Sequence, residues 1–324
     1  MKFLISNWCP VSLGIIILLV MLGSLSGKGS SGTMVKSFPS EYRENEAWIA
    51  PGVSDIPAGK EGDMIRYGHE LIVNTAQYLG PKGIVAARSN GMSCQSCHLD
   101  AGRKPWANPF SAVHSTYPKY RHRSGRTESV EFRVNECMQR SLNGDPLDST
   151  SQEMQAMVAY LKWMGQNVPN EVKPLGTGTE MLPYLDRAAD PKKGAVVYTQ
   201  KCARCHGATG EGFLKPDQVS FLYPPLWGAR SFNVSAGMHT LSRLAGFIKN
   251  NMPFDAISEK EKLSVEESWD VAAFISAQER PDKRFDYDWP DITKKPVDFP
   301  FGPYADSFPE YRHKYGPFTG MKKN

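Results

Sequence analysis

Two short stretches decide the architecture: Cys94-Gln95-Ser96-Cys97-His98 and Cys202-Ala203-Arg204-Cys205-His206, 108 residues apart. Both read C-x-x-C-H. Cysteines three apart on a helical turn project from one face, so their thiols reach the two vinyl groups of one porphyrin. The histidine that follows then sits beneath the iron as its proximal ligand. A redox or zinc C-x-x-C with a chance histidine would have to arise twice. The pattern therefore predicts two covalently bound c-type haems (iron), attached through Cys94, Cys97, Cys202 and Cys205, with His98 and His206 on the metal.

The flanks repeat one plan. Before the first motif, Met64, Ile65, Tyr67, Leu71, Ile72, Ala76 and Leu79 keep helical spacing between Gly59 and Leu79. After it, Ser149-Thr150-Ser151 can cap a helix carrying Met154, Met157, Val158, Leu161 and Met164. Around the second motif, Asp190-Pro191 opens a helix that runs into Cys202, and another extends from about Ser264 towards Pro281. The fold expected is mainly α: two cytochrome c-like haem domains in tandem with an extended Pro/aromatic-rich C-terminal segment. The boundaries read as 1–32 for an export signal or N-terminal anchor, 33–168 for the first haem domain, 169–183 for a Pro/Gly linker, 184–281 for the second haem domain and 282–324 for the extension. From Pro281 onward the chain has seven prolines and ten aromatics, which favours a packed wrap over a floppy tail.

Composition bounds the partners. The chain has 324 residues, 40% hydrophobic and 22% charged, so wholesale disorder is excluded. A net charge of +4 is too small for nucleic-acid binding without a concentrated patch. A mean hydropathy of -0.42 excludes a polytopic membrane protein. Lys2, then the apolar run from about Trp8 to Leu25, then small residues at Ser24 and Ser26, have the layout of a secretory signal, with an uncleaved single span as the rival. Export to the periplasm is the expectation, with membrane attachment only if that segment is retained.

Of six cysteines, Cys9 lies in that first segment and four belong to the motifs. The odd one is Cys137, 39 residues after His98 and followed by Met138. The far side of the first iron can take Cys137, Met138 or neither. For the second iron, Met252 in Asn251-Met252-Pro253 is the candidate, with Met238 as competitor. Between Lys119 and Arg140 stand six basic residues: Lys119, Arg121, Arg123, Arg126, Arg133 and Arg140. Guanidinium forks match paired oxygens, and such a field favours a thiolate. The alternatives are a solvated basic face or a docking patch for an acidic partner.

The run Cys94 to Gly102, then Lys104-Pro105, Asn108-Pro109-Phe110 and Tyr117-Pro118, resembles the dihaem thiosulfate dehydrogenase family. So do Arg133-Val134-Asn135-Glu136-Cys137-Met138-Gln139-Arg140-Ser141-Leu142-Asn143-Gly144 and the later Met157 to Trp163. The match runs from about Tyr67 to Pro281, and the cysteine-bearing segment is its specific part. The resemblance implies an oxidoreductase, a thiosulfate dehydrogenase or tetrathionate reductase, that interconverts two thiosulfates and one tetrathionate at a His/Cys-ligated haem. It implies that His98 and Cys137 ligate that haem, that Arg123, Arg133 and Ser141 bind substrate, and that His206 and Met252 serve an electron-transfer haem. Electrons would pass to or from a periplasmic cytochrome c or another redox partner. Some members carry lysine immediately before the methionine; here Asn251 stands there and the nearby lysine is Lys249. A non-catalytic dihaem electron carrier, a dihaem cytochrome c peroxidase and a thiosulfate-conjugating cytochrome are the rival classes.

Overall fold

In the computed structural model, residues 47–258 and 261–321 are described. The expected export segment lies outside them. The described residues belong to one compact unit, Phe38–Asn324. Among them no helix is long and apolar enough to cross a membrane.

The first half is framed by α1 (Lys60–Val73), α2 (Val130–Arg140) and α3 (Gln152–Met164). The helical spacing expected to Leu79 is interrupted at Asn74, and a separate short helix follows at Thr75–Leu79. Ser129 caps α2 and Ser151 caps α3, each hydroxyl accepting a first-turn N–H. Between the first motif and α2, β1 (Lys119–Arg121) and β2 (Arg126–Glu128) form a small antiparallel hairpin. Ile65, Leu71, Met157, Tyr160 and Met164 fill the first core.

The second half is framed by α4 (Pro191–Val197), α5 (Leu241–Asn251) and α6 (Val265–Ser276). Asp190 caps α4, whose path continues through a wider turn, Tyr198–Cys202, into the second motif. Ser264 and Glu267 close a reciprocal cap on α6, which ends at Ser276 rather than near Pro281. Val197, Tyr198, Leu244, Trp269 and Ala272 fill the second core.

One device recurs in both halves. A Cβ added to Gly68 of α1 would lie 2.0 Å from the Ala156 carbonyl oxygen of α3. A Cβ added to Gly194 of α4 would lie 1.9 Å from the Asp270 carbonyl oxygen of α6. Each pair of first and last helices thus crosses backbone to backbone, and only glycine leaves room for it.

The two remaining segments are packed. Within 169–183, Gly176 and Gly178 accept backbone bonds from Trp106 (2.7 Å) and Asn108 (3.0 Å), which fastens this stretch to the loop after His98. Among its described residues the C-terminal extension is mostly irregular, with a 3-10 turn, Ile292–Lys294, and one α-helix, α7 (Glu310–Tyr315). Its Val297, Phe318 and Met321 join the second core, so it is a wrap rather than a tail.

Candidate functional site: two haem cavities with unlike walls

Ten of the eleven residues singled out from the sequence line one of two cavities. Cys94, Cys97, His98, Arg133, Cys137 and Ser141 line the first, of about 260 Å³. Cys202, Cys205, His206 and Met252 line the second, of about 330 Å³. Met92, Ser93 and Cys97 line both, so one thickness of chain separates them.

The donor sets fit a c-type haem in each cavity. His98 Nδ1 lies 2.6 Å from the Asn108 carbonyl oxygen and His206 Nδ1 lies 2.9 Å from that of Pro224. A carbonyl can only accept, so each Nδ1 carries the proton and each Nε2 keeps its lone pair for a metal. Burial pushes the His98 imidazole down to about 4 and lowers that of His206, so both stay neutral, as ligation requires. Phe110 stacks on the His98 ring with centroids 4.6 Å apart. Burial also pushes the thiols of Cys94 and Cys97 up to about 11 and about 12.

The first cavity is set apart by α2. Arg133, Cys137 and Ser141 recur every four residues, so they form one stripe along the helix, and that stripe faces the cavity. The Arg133 guanidinium is held firmly protonated, chiefly by the nearby Cys137 sulfur acting against the cost of burial. Lys119, Arg121 and Lys173 complete a cationic wall. Strand alternation explains two of them: in β1, Lys119 and Arg121 point to the cavity while Tyr120 between them is exposed.

Arg123 is the residue that does not join. It lies in the hairpin turn two residues beyond β1, outside the cavity wall. Its Nε and Nη2 donate to Asp288 Oδ2 at 3.1 and 2.8 Å, and Nη2 also donates to the Ser235 carbonyl at 2.6 Å. Arg121 stands beside the cavity, where Arg123 was expected; the alternation Lys119-x-Arg121 was the sequence signal that could have found it.

The second cavity is walled by Leu226, Phe232, Leu244, Phe247, Ile248 and Ile275 among others. Met238 and Met252 both reach it. The Met238 sulfur sits 3.7 Å from the Asn108 side-chain amide, which donates to it, whereas Met252 follows the last residue of α5.

Two cytochrome c domains, each with a cavity bearing two thiols and a neutral histidine, define a dihaem c-type cytochrome. Residues 85–169 match the SoxA/TsdA cytochrome c domain and residues 189–275 match the cbb3-type cytochrome c oxidase subunit III family. The chain is 37% identical over 243 residues to a thiosulfate dehydrogenase of Psychrobacter arcticus, covering 74% of this chain and 71% of that one. It is 37% identical over 239 residues to one of Allochromatium vinosum, covering 72% and 85%. A solved thiosulfate dehydrogenase (TsdBA) of Marichromatium purpuratum superposes with a TM-score of 0.68 at 35% identity, over 74% of this chain. The match spans about half, 51%, of that longer chain. The protein belongs to the thiosulfate dehydrogenase family and carries two c-type haems.

Proposed function

We propose that this protein is an exported oxidoreductase that joins two thiosulfates into tetrathionate, and runs the reverse reaction, at the first cavity. The observation that carries the reading is the stripe Arg133–Cys137–Ser141 facing the same cavity as His98. In this reading Cys94 and Cys97 attach the first haem and His98 and Cys137 ligate it. Cys202 and Cys205 attach the second, with His206 and Met252 as ligands; the prior engagement of Met238 with Asn108 supports Met252. When bound, the two haems supply one-electron acceptors for the two electrons that coupling releases.

The chain's own groups do the rest. Arg133, with Arg121 and Lys119 behind it, receives the sulfonate end of thiosulfate and offsets the repulsion between two dianions. Ser141 donates a hydrogen bond to a sulfonate oxygen, which turns the outer sulfur towards Cys137. The Cys137 thiolate and the first thiosulfate form an S–S bond as two electrons leave, giving a cysteinyl S-thiosulfonate. The sulfane sulfur of the second thiosulfate attacks the adduct sulfur bonded to Cys137, which breaks the bond to the cysteine, forms tetrathionate and returns the Cys137 thiolate. Arg123, tied to Asp288, has no place in this sequence. That Met92, Ser93 and Cys97 border both cavities supports a second haem that relays electrons between the first haem and an external redox partner.

The test is turnover of the haem-loaded protein with thiosulfate and an oxidised acceptor, and with tetrathionate and a reduced donor. A Cys137→Ala protein retaining both haems should lose both reactions. Full turnover in that variant would sink the scheme and favour a carrier whose cations dock a partner.

A further inference from the structure

The face of α2 beside the stripe carries a buried charge cluster that the reaction does not use. Arg140 Nε and Nη2 donate to Glu136 Oε2 and Oε1 at 2.7 and 3.0 Å. The same guanidinium forks onto Asp288 of the C-terminal extension, Nη1 to Oδ2 and Nη2 to Oδ1, both at 2.8 Å. Tyr287 donates its hydroxyl to Glu136 Oε1 at 2.8 Å, and Asp288 also holds Arg123. The side chains of Arg140 and Glu136 are each 2% exposed and that of Asp288 10%. Two cations and two carboxylates therefore balance in a nearly dry site, where removing one partner leaves a buried charge uncompensated.

The cluster straddles Cys137. Glu136 precedes it directly and Arg140 lies three residues on, so both ends of its helical turn are fastened. Phe285 covers the Arg140 guanidinium at 4.0 Å, and Lys283 donates to the Gly144 carbonyl at 2.8 Å just past the helix. The Trp289 N–H donates to the Arg123 carbonyl at 2.6 Å. Residues 283–289 thus lie as a strap across the end of α2.

We infer that Asp288 is a positioning residue: through Arg140 it fixes the rotation and depth of α2, and so the place of the Cys137 sulfur in the first cavity. The C-terminal extension is then part of the site without touching it. This rests on the reading of Cys137 as an iron ligand, and the test separates the two.

The experiment uses full-length holoprotein with Asp288→Asn, which keeps shape and removes charge. The ferric spectrum of the first haem, its midpoint potential and the steady-state constants are measured beside Asp288→Glu. Expected in Asp288→Asn are both haems attached, an unchanged second-haem signal, a thiolate-ligated first-haem signal split or weakened, and kcat lower by about tenfold. KM should move by less than about twofold, since no substrate contact is removed, and Asp288→Glu should recover part of the signal. An unchanged first-haem signal with unchanged kcat would overturn the proposal, whatever happens to thermal stability. A wild-type protein with no thiolate signal would overturn the ligand reading and this proposal together. If Asp288→Asn fails to accumulate, Tyr287→Phe removes one link of the cluster, and the same spectral change at smaller amplitude is required of it.

Discussion

The two haem cavities begin from the same plan and end with different chemistry. Each has a C-x-x-C-H motif, a histidine fixed by a backbone carbonyl, and first and last helices crossing at a glycine. The second adds apolar walls and methionine sulfurs. The first adds a cysteine, a partly buried arginine and a cationic rim, brought by α2 and β1. In the proposed reading, those two elements turn an electron-carrying cytochrome fold into an anion site. A low-dielectric wall strengthens that field, because charges there are poorly screened.

The comparison breaks most readily at Arg133. Arg133→Gln should lower kcat/KM for thiosulfate by about 10²–10³-fold while leaving the second haem's potential unchanged. Arg133→Lys should recover only part, because a point charge does not match paired oxygens as a fork does. Equal loss at both haems would mean that the variant damages folding rather than the anion site.

The shared helix crossing gives the next largest effect. Gly68→Ala and Gly194→Ala each push a Cβ into a backbone carbonyl, and each should cost about 2–3 kcal/mol in denaturant unfolding. Each should loosen its own haem domain first. A neutral result at either position would remove the claim that the two halves are built alike.

Acid should act on the second half through a buried histidine outside the haem motif. His239, near the second cavity, is pushed down to about 4 by burial, reinforced by the Arg280 charge; both outweigh the carbonyl bond it makes to Val234. Its folded pKa is below its unfolded one, so its contribution is complete above about pH 6.5 and is lost as pH falls towards 4. The loss is on the order of 3 kcal/mol. His239→Gln should flatten the pH dependence of the urea midpoint between pH 7 and 5; a parallel slope in both proteins would rule His239 out.

The smallest effect belongs to the exposed pair of Arg204, inside the second motif, with Asp255; their side chains are 52% and 57% exposed. Arg204→Gln should leave the urea midpoint nearly unchanged, against a clear drop for Asp288→Asn in the buried cluster. Similar changes at the two sites would deny the cluster its special standing.

How much of this was legible in the sequence depends on distance along the chain. The motifs and the helix starts at Ser151, Asp190 and Ser264 are local patterns, whereas Arg133 and Ser141 were singled out only by the family resemblance; their four-residue spacing from Cys137 then puts all three on one helix face. The break at Asn74 and the end of α6 at Ser276 missed the expected extents because tertiary packing, not propensity, sets them. Arg123 went astray for a different reason. Six basic residues in a row of 22 look alike until a hairpin assigns them sides, and β1 sends Lys119 and Arg121 inward while the turn carries Arg123 to Asp288. No spacing rule links 123 or 140 to 288. That contact exists only because the Pro/aromatic-rich segment, recognised as packed but without a readable role, wraps back across α2.

The central claim is that the two irons have unlike sixth ligands, Cys137 in the first cavity and Met252 in the second. Electron paramagnetic resonance of the ferric holoprotein, wild type beside Cys137→Ala, tests it most directly. The account predicts two low-spin signals in the wild type, one of thiolate–histidine and one of methionine–histidine character, with only the first lost in Cys137→Ala. A spectrum left unchanged by Cys137→Ala would contradict it.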